Sequence, residues 1–133
     1  YWTFTERILA GRPIKVFNNG DLLRDFTYID DIVDGVVATA TGPFVSRGPV
    51  PHRLYNIGDN RPTRLLRFIE ILEDAIGVKA EKEFLPMQPG DVPVTAADIG
   101  AIAADFGFAP EIPLEDGIPR FVRWYREHHS VAL

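Results

Sequence analysis

Arg24 opens the stretch "RDFTYIDDIV", with Asp25 beside it and Asp30 and Asp31 a few residues on. Its guanidinium is a planar fork of donors, which suits a diphosphate. It can equally close an internal pair with Asp25, Asp30 or Asp31, and the residues alone leave both open. Gln88 and Asp91 flank the proline-glycine turn in "PMQPGDVP". A loop of this kind can hold side chains toward a ligand, or Asp91 can simply organise its own turn. Phe17 offers a ring for a planar base, or ordinary core. Asn56, in "YNIG", must be hydrogen-bonded where it is buried, and tying down a loop is the expected use.

Other chemistries lack their residues. The chain has 11 glycines, none separated from the next by a single residue, so it carries neither a GxGxxG fingerprint nor a phosphate loop. No tyrosine has a lysine four residues later, so a Tyr-x-x-x-Lys acid/base pair is absent. No catalytic residue is therefore assigned. The histidines are His52, His128 and His129, and there is no cysteine. Neighbouring histidines on a helix point apart, so no metal site is expected, only a frayed polar end.

The elements that must position these residues follow from periodicity. Phe4 and Ile8 share a helical face, with Gly11 placed as a C-terminal cap. "PIKVFN" alternates as a half-buried strand does, "NNGD" is turn chemistry, and "DFTYI" reads as a second strand. Asp30 is the expected N-cap of a helix whose stripe is Val33, Val36, Val37 and Ala40. A Gly/Pro-rich linker is expected over 42–52, then a short strand "RLYNIG". Leu65, Ile69, Leu72 and Ile76 mark a helix ended by Gly77, and "AEKEFLP" a further strand. Asp98 is expected to cap a short helix ending at Gly107. In the last helix, Pro119 predicts either a start near that residue or a kink, since proline removes a donor and clashes with the preceding turn. Alternating strands and helices make the chain α/β. About four short strands form only part of a sheet, and a helix at residue 3 suggests a missing upstream segment. Exposed edges should then favour self-association.

The chain has 133 residues, 46% hydrophobic and 25% charged, enough for one domain with a modest core. A formal net charge of −5 gives no basic field for nucleic acid. No apolar run reaches the ~20 residues of a membrane span, and a cytoplasmic location is the default expectation.

Four stretches then follow one another in a telling order: "GRPIKVFNNGDLLRDFTYIDDIVDGVV", "YNIGDNRPTRLLRFIEILEDAIG", "LPMQPGDVPVTAADI" and "LEDGIPRFVRWY". Together they resemble the C-terminal part of the extended short-chain dehydrogenases, the NAD-dependent nucleotide-sugar epimerases and dehydratases. The "MQPGDVP" form is most similar to that of the UDP-glucuronate 4-epimerases. The resemblance implies that residues 1–133 are one substrate-binding segment of a Rossmann-type fold. The N-terminal part, with NAD and the Tyr-x-x-x-Lys pair, would be absent, so the complete enzyme would use NAD and this chain alone would hold none. It implies a UDP-sugar as ligand. Phe17 would lie where the family holds the nucleobase, Arg24 would meet the diphosphate, and Phe26 would be the neighbouring aromatic, often tyrosine. Asp91 would contact the ribose. Gln88 stands where many galactose-type epimerases carry a second phosphate arginine, a departure that weighs against UDP-galactose. Asp25 would hold the orientation of Arg24. Two other readings stay open: a stand-alone nucleotide-binding or interaction module without catalysis, and the same segment of a nucleotide-sugar dehydratase.

Overall fold

Residues 1–43, 48–50 and 52–130 are described by the computed structural model; the expected linker at 42–52 lies partly outside them. The elements run α1 (Trp2–Leu9), β1 (Ile14–Val16), a 3-10 turn (Phe17–Gly20), β2 (Leu23–Arg24), α2 (Ile29–Thr41), β3 (Thr63–Arg64), α3 (Leu65–Ile76), β4 (Lys82–Phe84), α4 (Gly100–Phe106) and α5 (Leu114–His129). The fold is mixed α/β.

The core forms where the apolar periodicity is cleanest. Helix α3 buries Phe68, Ile69, Ile71, Leu72 and Ile76. Against it lie Ile8 of α1, Ile14 and Val16 of β1, and Ile118 and Val122 of α5. Gly77 ends α3 at φ 81°, a left-handed conformation that glycine adopts without a Cβ clash. Arg126 Nη2 donates to Ile76 O at 2.7 Å, satisfying a carbonyl at the same helix end. Beside it, Glu73 is almost fully buried and accepts from Lys82 Nζ, from Ala80 N at 3.1 Å and from Lys79 Nζ at 3.1 Å. Burial alone would raise its pKa, but these donors outweigh it and hold the carboxyl below its ordinary value. Glu73 thereby fastens α3 to β4.

The strands pair as two short ladders. β1 and β4 are parallel, with Ile14, Lys15 and Val16 facing Lys82, Glu83 and Phe84. β2 and β3 are antiparallel, with Leu23 opposite Arg64 and Arg24 opposite Thr63. On its other edge β2 meets a parallel bridge from Leu23 to Val94.

Several expectations are corrected. The Val33, Val36 and Val37 stripe of α2 does not face the core; these residues are 49%, 50% and 51% exposed, and Ala40 is exposed too. The buried residues of α2 are Asp31 and Gly35. Gly35 allows close approach, since a Cβ there would lie 2.8 Å from Ile57 Cγ2. Asp31 accepts from Glu111 N at 3.0 Å and Ile112 N at 3.1 Å, so its carboxylate replaces water for two loop amides. Asp30 is not the N-cap: Tyr28 takes that position, and Asp30 sits in the first turn. "RLYNIG" alternates half-buried and exposed residues but forms no strand among the described residues. No strand forms at "DFTYI": β2 is Leu23–Arg24, just before it, and Ile29 already begins α2. Helix α5 begins at Leu114 and runs through Pro119 to His129 rather than starting at the proline. His128 and His129 are not frayed: His128 stacks on Trp124 with ring centroids 5.0 Å apart, and His129 lies against Tyr125 at 4.4 Å.

Candidate functional site

The site residues are brought together by two stretches distant in sequence. The first is β1, the 3-10 turn and β2; the second is β4 and the loop after it. They run side by side in the same direction. Leu85 N donates to Val16 O at 2.9 Å, and Asn19 N donates to Leu85 O at 3.1 Å. Farther on, Leu23 N donates to Pro93 O at 2.9 Å and Thr95 N to Leu23 O at 3.1 Å.

This pairing sets Arg24. Its Nη1 donates to Leu23 O at 2.9 Å and to Pro93 O at 3.3 Å, and its Nη2 to Asp91 Oδ1 at 2.6 Å. Both partners of the ion pair are mostly covered, with side chains 21% and 29% exposed. Two of the guanidinium's five donors remain uncommitted to described residues. Asp91 Oδ1 also accepts from Val92 N at 2.9 Å, so Asp91 organises its own turn and holds Arg24 at once. The internal partner of Arg24 is thus Asp91, not Asp25, Asp30 or Asp31. A mostly covered arginine held in place has donors to spare for an anionic group, and the carboxylate alongside can accept from a hydroxyl.

Asp25 does not orient Arg24 directly, contrary to expectation. Its Oδ2 accepts from Ala97 N at 2.8 Å and Asn60 N at 3.1 Å, and its own N–H donates to Thr95 Oγ1 at 3.2 Å. The remaining oxygen, Oδ1, is buried and has no hydrogen-bond partner among the described residues.

The other candidates are dispersed. Phe17 opens the 3-10 turn, half-buried at the end of β1. Asn18 and Asn19 follow at φ 49° and 51°, a left-handed pair that asparagine tolerates. Phe26 is chiefly a core residue: its ring stacks on Phe68 with centroids 4.5 Å apart and planes 15° from parallel. Its other side lines a cavity of about 350 Å³ with Tyr28, Ile118 and Phe121. Gln88 is exposed, and its carbonyl accepts from Asp91 N at 3.2 Å, closing the turn at Gly90. Asn56 Nδ2 donates to Asp98 O at 3.2 Å, tying down a loop as expected.

Sequence reasoning missed the contributions of Pro93, Thr95, Ala97 and Asn60. Three of the four act through backbone atoms, which leave no residue-type signal; Thr95 through its hydroxyl was legible only as a loop polar residue. It also missed a half-buried cluster in which Asp105 Oδ2 accepts from Arg53 Nε at 2.6 Å and from Tyr55 Oη at 3.0 Å. Burial first, then donation to Asp105, raises the Tyr55 phenol above its ordinary pKa. Among the described residues no group of three or more His, Cys, Asp or Glu could hold a metal ion, and no helix is long and apolar enough to cross a membrane.

Residues 2–58 match the NAD dependent epimerase/dehydratase family. UDP-glucuronate 4-epimerase 1 of Arabidopsis thaliana is 40% identical over 141 residues, covering 98% of this chain and 33% of that protein. Of solved structures, UDP-glucuronic acid 4-epimerase from Bacillus cereus in complex with NAD is 27% identical with a TM-score of 0.78, covering 97% of this chain and 38% of that one. UDP-glucose 4-epimerase from Thermotoga maritima with UDP-glucose is 28% identical with a TM-score of 0.82, covering 96% and 39%. The chain spans 39–42% of the length of the first curated relatives it matches. By family match, sequence and fold, this chain matches part of the NAD dependent epimerase/dehydratase family, and UDP-glucuronate 4-epimerases are among the proteins it resembles.

Proposed function

We propose that this chain is the UDP-sugar-binding part of an NAD-dependent 4-epimerase acting on UDP-glucuronate or a related UDP-sugar. The observation that carries the reading is Arg24, held at a strand end by two carbonyls and Asp91 with donors left over. The spare donors would take the diphosphate. Asp91 Oδ2, which accepts nothing from the described residues, would take a ribose hydroxyl. Phe17 would border the base, and Gln88, exposed on the Gly90 turn, would sit near the phosphates. Phe26 would act from beneath, fixing the backbone after Arg24 by its stack on Phe68. When bound in a complete enzyme, NAD would supply hydride removal and return at the sugar; this chain's residues would bind and orient. The B. cereus and A. thaliana relatives named above support UDP-glucuronate as the sugar nucleotide.

The test is calorimetric titration of UDP and UDP-glucuronate into the wild-type chain and into Arg24→Ala and Arg24→Lys. Wild type should bind weakly. Losing a charge-assisted contact worth about 1.5–3 kcal/mol should weaken binding roughly 10- to 150-fold in the alanine variant. Lysine should recover only part, since a point charge cannot replace the planar fork. Unchanged affinity in Arg24→Ala would remove the diphosphate role.

A further inference from the structure

The loop from Asp91 to Ala97 lies along β2 like a strap. Asp91 and the Pro93 carbonyl hold the Arg24 guanidinium, Pro93 and Thr95 exchange backbone bonds with Leu23, and Ala97 reaches Asp25. Asp25 is the fixture at the far end. One carboxylate oxygen gathers the amides of Ala97 and Asn60 from two separate loops, while its own amide takes the Thr95 hydroxyl. The three pieces meet without slack: a Cβ on Gly58 would lie 2.4 Å from Ala97 Cβ and 3.2 Å from Asp25 Oδ2. Keeping Asp25 Oδ1 buried with no hydrogen-bond partner among the described residues is costly. Arg24, next in the chain, makes none of its bonds to Asp25.

We infer that Asp25 is a positioning residue for the nucleotide-sugar site, fixing the 91–97 strap so that Asp91 and Pro93 aim the Arg24 guanidinium. The inference rests on the UDP-sugar reading above. Geometry at such a site must hold within about 0.5 Å, and a strap tied only through main-chain bonds at Leu23 would leave its ends free to shift. Asp25 supplies the second tie through a side chain, so its effect on ligand must pass through Arg24 and Asp91.

UDP binding is measured by calorimetry for the 133-residue chain, Asp25→Ala, Asp25→Asn, Arg24→Ala and the Asp25→Ala/Arg24→Ala double variant, with amide hydrogen exchange read by NMR. Asp25→Ala should weaken UDP about tenfold, a part of the 10- to 150-fold carried by Arg24. Asp25→Asn should restore most of it: the amide oxygen can accept from Ala97 and Asn60, while the NH2 occupies the place of the unpartnered Oδ1. In the Arg24→Ala background, Asp25→Ala should cost little more, as coupled residues do not add. Exchange at Ala97 and Asn60 should quicken in Asp25→Ala and return in Asp25→Asn. If Asp25→Ala does not fold, Thr95→Val removes only the acceptor for the Asp25 amide, and should weaken UDP about threefold with the same non-additivity. Wild-type affinity in Asp25→Ala or in Thr95→Val, with Arg24→Ala impaired, would overturn this inference alone, as would losses that add in full. An unimpaired Arg24→Ala would overturn the UDP-site reading and this inference together.

Discussion

Replacing Glu73 by glutamine tests the fastening of the strap's base, because β4 leads directly into the site loop. The carboxylate is 3% exposed and receives two ammonium groups and one backbone amide. The Lys82 contact is charge-assisted and worth about 1.5–3 kcal/mol net. Lys79 is 71% exposed, so its contact adds at most about 1 kcal/mol. Glutamine keeps an acceptor for Ala80 N, and removing the charge relieves some desolvation; Lys82, 26% exposed, can turn partly to water. The net loss should be about 1–3 kcal/mol at pH 7, below the 3–5 of a fully buried broken pair. The sign with pH follows from a depressed folded-state pKa. Glu73 contributes its full stability above the unfolded carboxyl value of 4.5, and that contribution fades as pH falls through the folded value. Urea unfolding of both chains at pH 7, 5, 4 and 3 should show the variant weaker at pH 7 and the two curves converging below about 4.5. Equal stability at pH 7, or parallel profiles down to pH 3, would refute the role given to Glu73.

Asp31→Ala should cost about 2–4 kcal/mol in the same assay, since it strands the Glu111 and Ile112 amides without acceptors; a loss under 0.5 kcal/mol would mean that water replaces the carboxylate freely. Calorimetry should detect no tight NAD binding by this chain, which has no glycine-rich phosphate loop; micromolar affinity would contradict this. The exposed Ile29, Val33, Val36 and Val37 face of α2 should drive self-association, so scattered-light mass should climb above 14.9 kDa with concentration and fall back in Val33→Lys. A constant single-chain mass would count against it.

Much of this architecture could be read in advance wherever local chemistry and burial agree. Leu65, Ile69, Leu72 and Ile76 with Gly77 behind them delimited α3 to the residue, and "PIKVFN" and "AEKEFLP" placed β1 and β4. Reading failed where burial depends on what lies across from an element. The valines of α2 have helical spacing, but close approach at Gly35 and acceptor demand at Asp31 turned the opposite face inward. "RLYNIG" has strand alternation but joins no ladder among the described residues, and alternation alone cannot supply a partner. At the site, Arg24 and Asp91 were both picked from side-chain chemistry, yet their pairing was invisible, since 67 residues separate them. The roles of Pro93 and Ala97 are carried by main-chain atoms, which no residue type announces.

That separation has a kinetic meaning. The two stretches framing Arg24 lie 66 to 72 residues apart wherever they touch. Closing a loop of that length costs roughly 4 kcal/mol in chain entropy, and contacts at such range slow folding. Helices α2 and α3 lie inside the loop and can form from local contacts before it closes. The corner around Arg24 should therefore be among the last parts of the chain to assemble. A nascent or partly unfolded molecule would possess its helices while lacking the Arg24 corner, and under the proposed function UDP binding would report completion of the whole fold and not of any one element.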